Sequence, residues 1–364
     1  MILLTPGPVN VSERVRAALQ GTAIGPHEAE FAELVHGIRQ KLLRAFVPGA
    51  ESDYTAIVLT GSGSAAVEAA LLSSLPHGKR ALVINNGPYG EQMASIVGVH
   101  RLGVAEYKLE LGAKFDPERL RLALRQHPEV HVVAMVHHET STGQLNPVRE
   151  MAEVADSQNR VFLVDSVGGL GGEPLDIAGS HLYMVAGAAH VGIQGWPGVS
   201  FVLVRKGFME RMKSYPKRSW YLHLPHYYED EERGTIPFTP ATPVYAAFHE
   251  ALAELLEEGV AARTQRYRKP TAMLRKKLGE LGLKPLLPPE HQSGTLTAWH
   301  LPPGLTDELL RTRLKERGYV IPPGQGSLAG KIFRVATMGA LTDQQIEGFL
   351  TAFQQALESA AVRP

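Results

Sequence analysis

Five short apolar runs set the frame for this chain: Ala56–Leu59, Arg80–Ile84, Val130–Val136, Arg160–Val164 and Val199–Val204. Each is shorter than a typical helix, rich in branched side chains and bounded by Gly, Asn, Asp or His, so buried strands are the expectation. Helical patterns stand between them at Ser64–Leu75, Gly90–Val99, Pro117–Gln126 and Val148–Ser157. Strand and helix alternating at this spacing predict an α/β architecture, a mostly parallel sheet covered on both faces. Ligands of such a sheet bind beyond the carboxyl ends of its strands.

After about Pro240 the pattern changes. A long helix over Val244–Glu258 leads into a basic stretch, Arg263–Leu278, where Pro270 is expected to kink or interrupt the helix. That stretch is read as a solvated helix face, because no aromatic or Gly-rich partner accompanies it as in a nucleic-acid site. Strand-like and helical pieces then alternate at Gly294–Leu301, Asp307–Arg317, Lys331–Ala336 and Asp343–Ala361, which predicts a second, smaller α/β domain. The expected division is residues 21–258 as the large domain, 259–364 as the small one, and 1–20 as an N-terminal segment joining the small domain. At 364 residues the chain is long enough for both.

Charge and composition exclude several classes. Lys+Arg and Asp+Glu are both 37, so no net field favours nucleic acid or a membrane surface. There is no cysteine, hence no disulfide, thiolate nucleophile or Cys-ligated metal. The polar turn after the first residues shows no signal peptide, and no apolar stretch is long enough to span a bilayer, so a cytoplasmic protein is expected.

The polar residues cluster after the strands. Thr60-Gly-Ser-Gly-Ser-Ala-Ala-Val-Glu-Ala69 follows one and opens a helix. Its small residues and the hydroxyls of Ser62 and Ser64 suit an anion at a helix N-terminus; a simple capped turn is the plainer reading. It lacks the Gly-Lys-Ser/Thr ending of a P-loop. Asn86-Gly-Pro-Tyr-Gly90 puts Tyr89 where it could stack on a planar ligand or sit at a rim. His137-His-Glu-Thr-Ser-Thr-Gly143 invites a metal reading, but contiguous side chains point apart, so hydroxyls bonding a ligand oxygen are preferred and no metal is expected. Asp165, at a strand end before Val-Gly-Gly, could pair with a protonated ring nitrogen or cap a turn.

Taken in order, these segments resemble the class V (fold type I) pyridoxal-phosphate-dependent aminotransferases, nearest the 2-aminoethylphosphonate–pyruvate and alanine–glyoxylate (serine–pyruvate) branches. Matching stretches include Leu3-Leu-Thr-Pro-Gly-Pro8, Gly61–Ala69, Asn86–Gly90, Met135–Gly143, Val164-Asp-Ser-Val167, Ile193-Gln-Gly-Trp-Pro-Gly198 and Phe333-Arg-Val-Ala-Thr-Met-Gly339. The resemblance implies a large seven-stranded sheet domain, a smaller C-terminal domain and a homodimer. It implies that Ser62, Gly63 and Ser64 cradle the phosphate of pyridoxal phosphate (PLP) or pyridoxamine phosphate (PMP). Tyr89 and Val167 would cover the two ring faces, Thr140 would approach the 3-oxygen and Asp165 the ring nitrogen. Thr239 and Thr242 would reach the neighbouring subunit's phosphate, and Arg334 would bind a substrate carboxylate.

One departure stands out. Counting back from Pro197-Gly198 and forward from Asp165 both place the family's Schiff-base lysine at Val191, preceded by His190 where the family has Gln or Asn. Gln92 replaces an Arg often found after Tyr-Gly-x. Val191 offers no amine, so the resemblance implies a cofactor held without a covalent bond. His190 is the remaining titratable neighbour; in an extended stretch, 190 and 191 would face opposite ways. The expected function is amino transfer between a small amino acid of alanine, serine or aminoethylphosphonate type and a 2-oxo acid. The alternative is a non-catalytic cofactor- or ligand-binding dimer. A desulfurase of the same fold is disfavoured by the missing cysteine.

Overall fold

A computed structural model describes residues 1–21 and 24–361 of the chain. Seven strands form the central sheet: β1 (Tyr54–Thr60), β2 (Arg80–Asn85), β3 (Gly103–Lys108), β4 (Val130–Val136), β5 (Val161–Asp165), β6 (Met184–Ala188) and β7 (Val199–Arg205). Their order is β1-β7-β6-β5-β4-β2-β3. Only β7 runs against its neighbours; the other pairs are parallel.

Alternate residues of each strand serve different cores. Ala56 and Val58 of β1 join one apolar cluster with Phe46, Phe201 and Phe248, whereas Ile57 and Leu59 join another with Val67, Val83 and Leu163. A period-two split with both sides buried is what a sheet sandwiched between helices requires. The helices Pro117–Gln126 and Val148–Ser157 have the expected bounds, while those at Gly63–Ser74 and Pro88–Val99 start one and two residues early.

Two strands were not expected. β3 is an edge strand whose only buried residue is Tyr107, so it lacks a continuous apolar run. β6 contains Gly187, a poor strand former that is nevertheless required here: a Cβ at 187 would collide with the ring of Phe201, its partner across the ladder.

Past the sheet, Thr242–Glu258 and Val260–Glu280 are two long helices meeting at Gly259, whose φ of 83° lies in the left-handed region that glycine tolerates. The second helix runs on through Pro270, correcting the expected interruption. The carbonyl of Tyr267, one turn before the proline, accepts from the hydroxyls of Thr271 and Thr337, which stabilises the backbone locally. Nor is the basic stretch simply solvated. Arg263 is buried, Arg275 donates to Thr297 and to the Ser293 and Leu296 carbonyls, and Lys269, Lys276 and Lys277 alone among those cations from 269 to 277 are exposed. Sequence periodicity could not reveal this, because the Arg275 acceptors and the Ile193 carbonyl bonded by Arg263 lie on other elements. Leu296–His300 pairs antiparallel with Ile332–Ala336, and Ile2–Leu3 pairs with Tyr319–Val320. Trp299, Phe333, Phe349 and Phe353 form the core beneath them. No helix among the described residues is long and apolar enough to cross a membrane.

Candidate active site

Five polar segments emerge from the carboxyl ends of β1, β2, β4, β5 and β6, and all reach one cleft. Its lining includes Gly63, Ser64, Tyr89, Gln92, His138, Thr140, Asp165, Val167, His190 and Val191, with Pro6 and Gly7 of the N-terminal segment. The volume is about 100 Å³. Neither Lys nor Arg lies among the lining residues.

The helix Gly63–Ser74 starts directly on this cleft. Ser62 sits at its N-cap with extended backbone, yet its side chain makes no capping bond, which leaves the first N–H groups and the hydroxyl available to a ligand. Ser64 accepts a hydrogen bond from Gln92 Nε2 at 3.2 Å. Gly63 packs so closely on Val167 that a Cβ would lie 2.5 Å from Cγ1, bringing the ends of β1 and β5 together.

Asp165 is the last residue of β5 and is buried. Oδ1 accepts from the Val167 N–H at 3.0 Å, and burial pushes the carboxyl up to about 6. Desolvation raises it, and no cation among the described residues offsets this.

Tyr89 lies in the first turn of Pro88–Val99, and its N–H donates to Glu139 Oε2 at 3.3 Å. Glu139 is buried, also accepts from the backbone and hydroxyl of Ser141, and burial pushes it to about 7. Gly87 admits this carboxylate: a Cβ there would fall 2.7 Å from its carboxyl carbon. Glu139 thus fastens the β2 turn to the β4 turn, a positioning role missed in the sequence, where it was weighed only as a metal ligand. Its neighbours turn elsewhere: His137 Nδ1 meets Ser166 Oγ at 2.8 Å, and His138 Nδ1 meets the Gly168 carbonyl at 2.9 Å. Burial holds His137 down at about 3.

Arg334 is buried outside the cleft lining. Its Nη1 donates to the Thr140 carbonyl at 2.8 Å and its Nε to the Pro323 carbonyl at 2.9 Å. It therefore braces the Thr140 turn, whatever its further role. Thr239 is exposed and Thr242 opens the helix Thr242–Glu258; neither lines the cleft.

β6 ends at Ala188, and the chain turns instead of staying extended. Gly195 N donates to the Ala189 carbonyl at 2.7 Å and Gln194 N to the Val191 carbonyl at 3.1 Å. His190 and Val191 consequently both reach the cleft. His190 is half-buried, its imidazole lowered by desolvation, and its Nδ1 has no hydrogen-bond partner among the described residues. Val191 packs with Val9, Tyr267, Leu296, Ala336 and Met338. From behind, Tyr267 donates to the Gly192 carbonyl at 3.0 Å and Arg263 to the Ile193 carbonyl at 3.1 Å.

Comparison with known proteins agrees with this arrangement. Residues 16–338 match the aminotransferase class-V family. The chain belongs to that family. The 2-aminoethylphosphonate–pyruvate transaminase of Syntrophobacter fumaroxidans is 38% identical, covering 98% of this chain and 96% of its own. That of Klebsiella pneumoniae is 34% identical over 98% and 97%. Among solved structures, an alanine–glyoxylate aminotransferase from Nostoc sp. superposes with a TM-score of 0.92 at 27% identity, covering 98% of this chain and 95% of that one. A subgroup IV aspartate aminotransferase from Thermus thermophilus gives 0.89 at 26%, covering 99% and 100%. The architecture is the fold type I of these enzymes.

Proposed function

We propose that this chain holds PLP or PMP without a covalent bond and transfers an amino group between a small amino acid and a 2-oxo acid. The relatives' names point to 2-aminoethylphosphonate and pyruvate as the pair to test first. One observation carries the reading: a buried carboxylate, Asp165, faces the same cleft as an uncapped helix N-terminus. That combination fits a molecule with a protonated ring nitrogen at one end and a phosphate at the other.

Ser62, Gly63 and Ser64 would hold the phosphate, Asp165 the ring nitrogen, and Tyr89 and Val167 the ring faces. Thr140 would meet the 3-oxygen, Arg334 the substrate carboxylate, and Thr239 and Thr242 the phosphate of a partner subunit in a homodimer. The half-buried Tyr89 and Gln92 would move outward to admit the ligand. When bound, the pyridine ring draws electrons from the amino-bearing carbon. Asp165 keeps the ring nitrogen protonated and Glu139 keeps Tyr89 in place. Val191 can neither tether nor exchange a proton, so His190 is the side chain left to carry one at the reacting carbon. We place this chemistry in the cytoplasm, within a large domain (21–258) closed by residues 1–20 and 259–364.

Titration calorimetry with PMP and PLP tests binding, and a single turnover of PMP with pyruvate or glyoxylate tests transfer. Saturable binding with formation of PLP and an amino acid supports the proposal. Absence of binding overturns it. The apolar packing of Val191 favours a second reading, a binding protein without turnover, which binding without product formation would support.

A further inference from the structure

The paired strands β1 and β7 have one end at the cleft and the other at a second cavity, across the sheet. At the cleft end Val199 pairs with Thr60, and at the far end Arg205 pairs with Tyr54. The far cavity has a volume of about 500 Å³, within the range of small-molecule sites. Three aromatic residues line it, Tyr54, Tyr183 and Phe208, together with three cations, Arg205, Lys206 and Arg211.

The rings hold two of these cations in place. Arg205 Nε donates to the Tyr54 hydroxyl at 3.0 Å, and its guanidinium carbon lies 5.2 Å from the centre of the Tyr183 ring. Arg211 lies 5.0 Å from the centre of Phe208 and 5.9 Å from that of the same Tyr183. Among the described residues none of the three cations forms an ion pair, and Arg205 Nη1 and Nη2 have no protein acceptor yet stay accessible. Lys206 and Arg211 are exposed. Asp53 is the one carboxylate in the lining, and it accepts from the Ser52 hydroxyl at 3.3 Å. Asp176, on the neighbouring loop, accepts from the Gly179 N–H at 2.9 Å. The positive field reaches past the cavity: beside Phe208, His131 is pushed down to about 4, by burial first and then by Arg211, Lys79 and Arg160. Like charges gathered on one wall repel each other, and a bound anion removes that cost.

We propose that this cavity binds a phosphate monoester. Three cations against one carboxylate leave about two positive charges, which matches the roughly −1.5 to −2 of such a group at neutral pH. The planar fork of Arg205 meets two phosphate oxygens, and Lys206 and Arg211 meet the remaining charge. The cavity is larger than a bare phosphate fills, so the organic part of the ester lies against Ala50 and Ala178. The Ser62–Ser64 turn stands at the opposite strand ends, so the two anion sites can be altered separately.

The test is calorimetry on the full chain with phenyl phosphate and glycerol 3-phosphate, beside inorganic phosphate and benzoate. Both esters should bind saturably, and benzoate, with a single charge, at least about tenfold more weakly. Ester affinity should fall by about tenfold between roughly 0.05 and 0.5 M salt. Lys206→Glu and Arg211→Glu should each weaken ester binding by about tenfold or more, with circular dichroism confirming that both fold. Esters that bind no better than inorganic phosphate overturn the assignment and leave only an ion on a charged wall. Binding that survives both substitutions also overturns it, and places the phosphate at the Ser62–Ser64 turn instead. So does the absence of saturable binding up to about 10 mM. Neither substituted residue lines the cleft, so this outcome and that of the cofactor titration are read separately.

Discussion

The two sides of the cleft are built on opposite principles. On the side formed by the ends of β1 and β5, polar groups keep bonding capacity for a ligand: an uncapped helix start at Ser62 and a desolvated carboxylate at Asp165. On the other side, the turn after β6 is closed by backbone bonds and, apart from His190, apolar. Val191 is 3% exposed within a cluster of Val9, Tyr267, Leu296 and Met338, and the Gly192 and Ile193 carbonyls behind it are bonded. Under the proposed function the first side receives charge from a ligand, whereas on the second Val191 only excludes water and His190 is the single titratable group lining it. The two halves are stabilised by different neighbours, so a substitution in one can be tested while the other is left intact.

The strongest way to break that contrast is to put an amine on the apolar side. Val191→Lys should convert exchangeable PLP into a species retained through denaturing chromatography after borohydride reduction, with the corresponding mass increase. Val191 Cγ2 already lies 2.9 Å from where a Cβ on Gly7 would stand, so the longer side chain should also cost about 1–3 kcal/mol of stability. A folded variant that binds PLP yet never captures it would show that residue 191 does not face the aldehyde.

On the polar side, Asp165→Asn should weaken PMP binding by about 100-fold, since a charge-assisted bond to the ring nitrogen is lost. The same change should raise the melting temperature of the ligand-free protein at pH 7.5, because an unpaired buried charge is removed. Equal affinity in calorimetry would sink the assigned role.

Acidity should act through the same group. The folded carboxyl titrates near 6 instead of 3.8, so the folded state holds a proton more tightly than the unfolded chain. Its contribution therefore favours folding below about 4 and declines as pH rises towards 6. Ligand binding runs the other way: affinity for PMP should fall by up to about tenfold per unit as pH drops below 6. A flat profile between pH 5 and 7.5 would mean the carboxylate does not meet a protonated nitrogen.

Much of this was legible in the chain. Four of the five expected strands lie wholly within observed ones, and the fifth, Arg160–Val164, is offset by one residue; buried parallel strands are continuous apolar runs, which composition alone exposes. The order of small and polar residues after them located the cleft, since strand ends and ligand sites coincide in this architecture. What stayed hidden depends on contacts distant in sequence. Gly187 reads as a breaker until Phe201 is seen opposite it. Arg334 is expected from the resemblance to meet a substrate carboxylate, and its bonds to the Thr140 and Pro323 carbonyls show only in the fold. The turn that brings His190 and Val191 to one cleft depends on bonds from Gly195 and Gln194 that no periodicity encodes.

The smallest expected effect on binding sharpens the comparison most. Tyr267 donates to the Gly192 carbonyl and accepts from Gln194 Nε2 at 2.6 Å, so its hydroxyl fixes the apolar turn without touching the polar wall. Tyr267→Phe leaves both partners buried and unmatched, a loss of about 1–3 kcal/mol, read as a lower urea midpoint at unchanged slope. If the turn only excludes water, PMP affinity should change by no more than a few-fold, far less than for Asp165→Asn. If instead affinity falls as steeply as stability, the turn contributes binding contacts of its own, and the division of the cleft into a receiving side and an enclosing side fails.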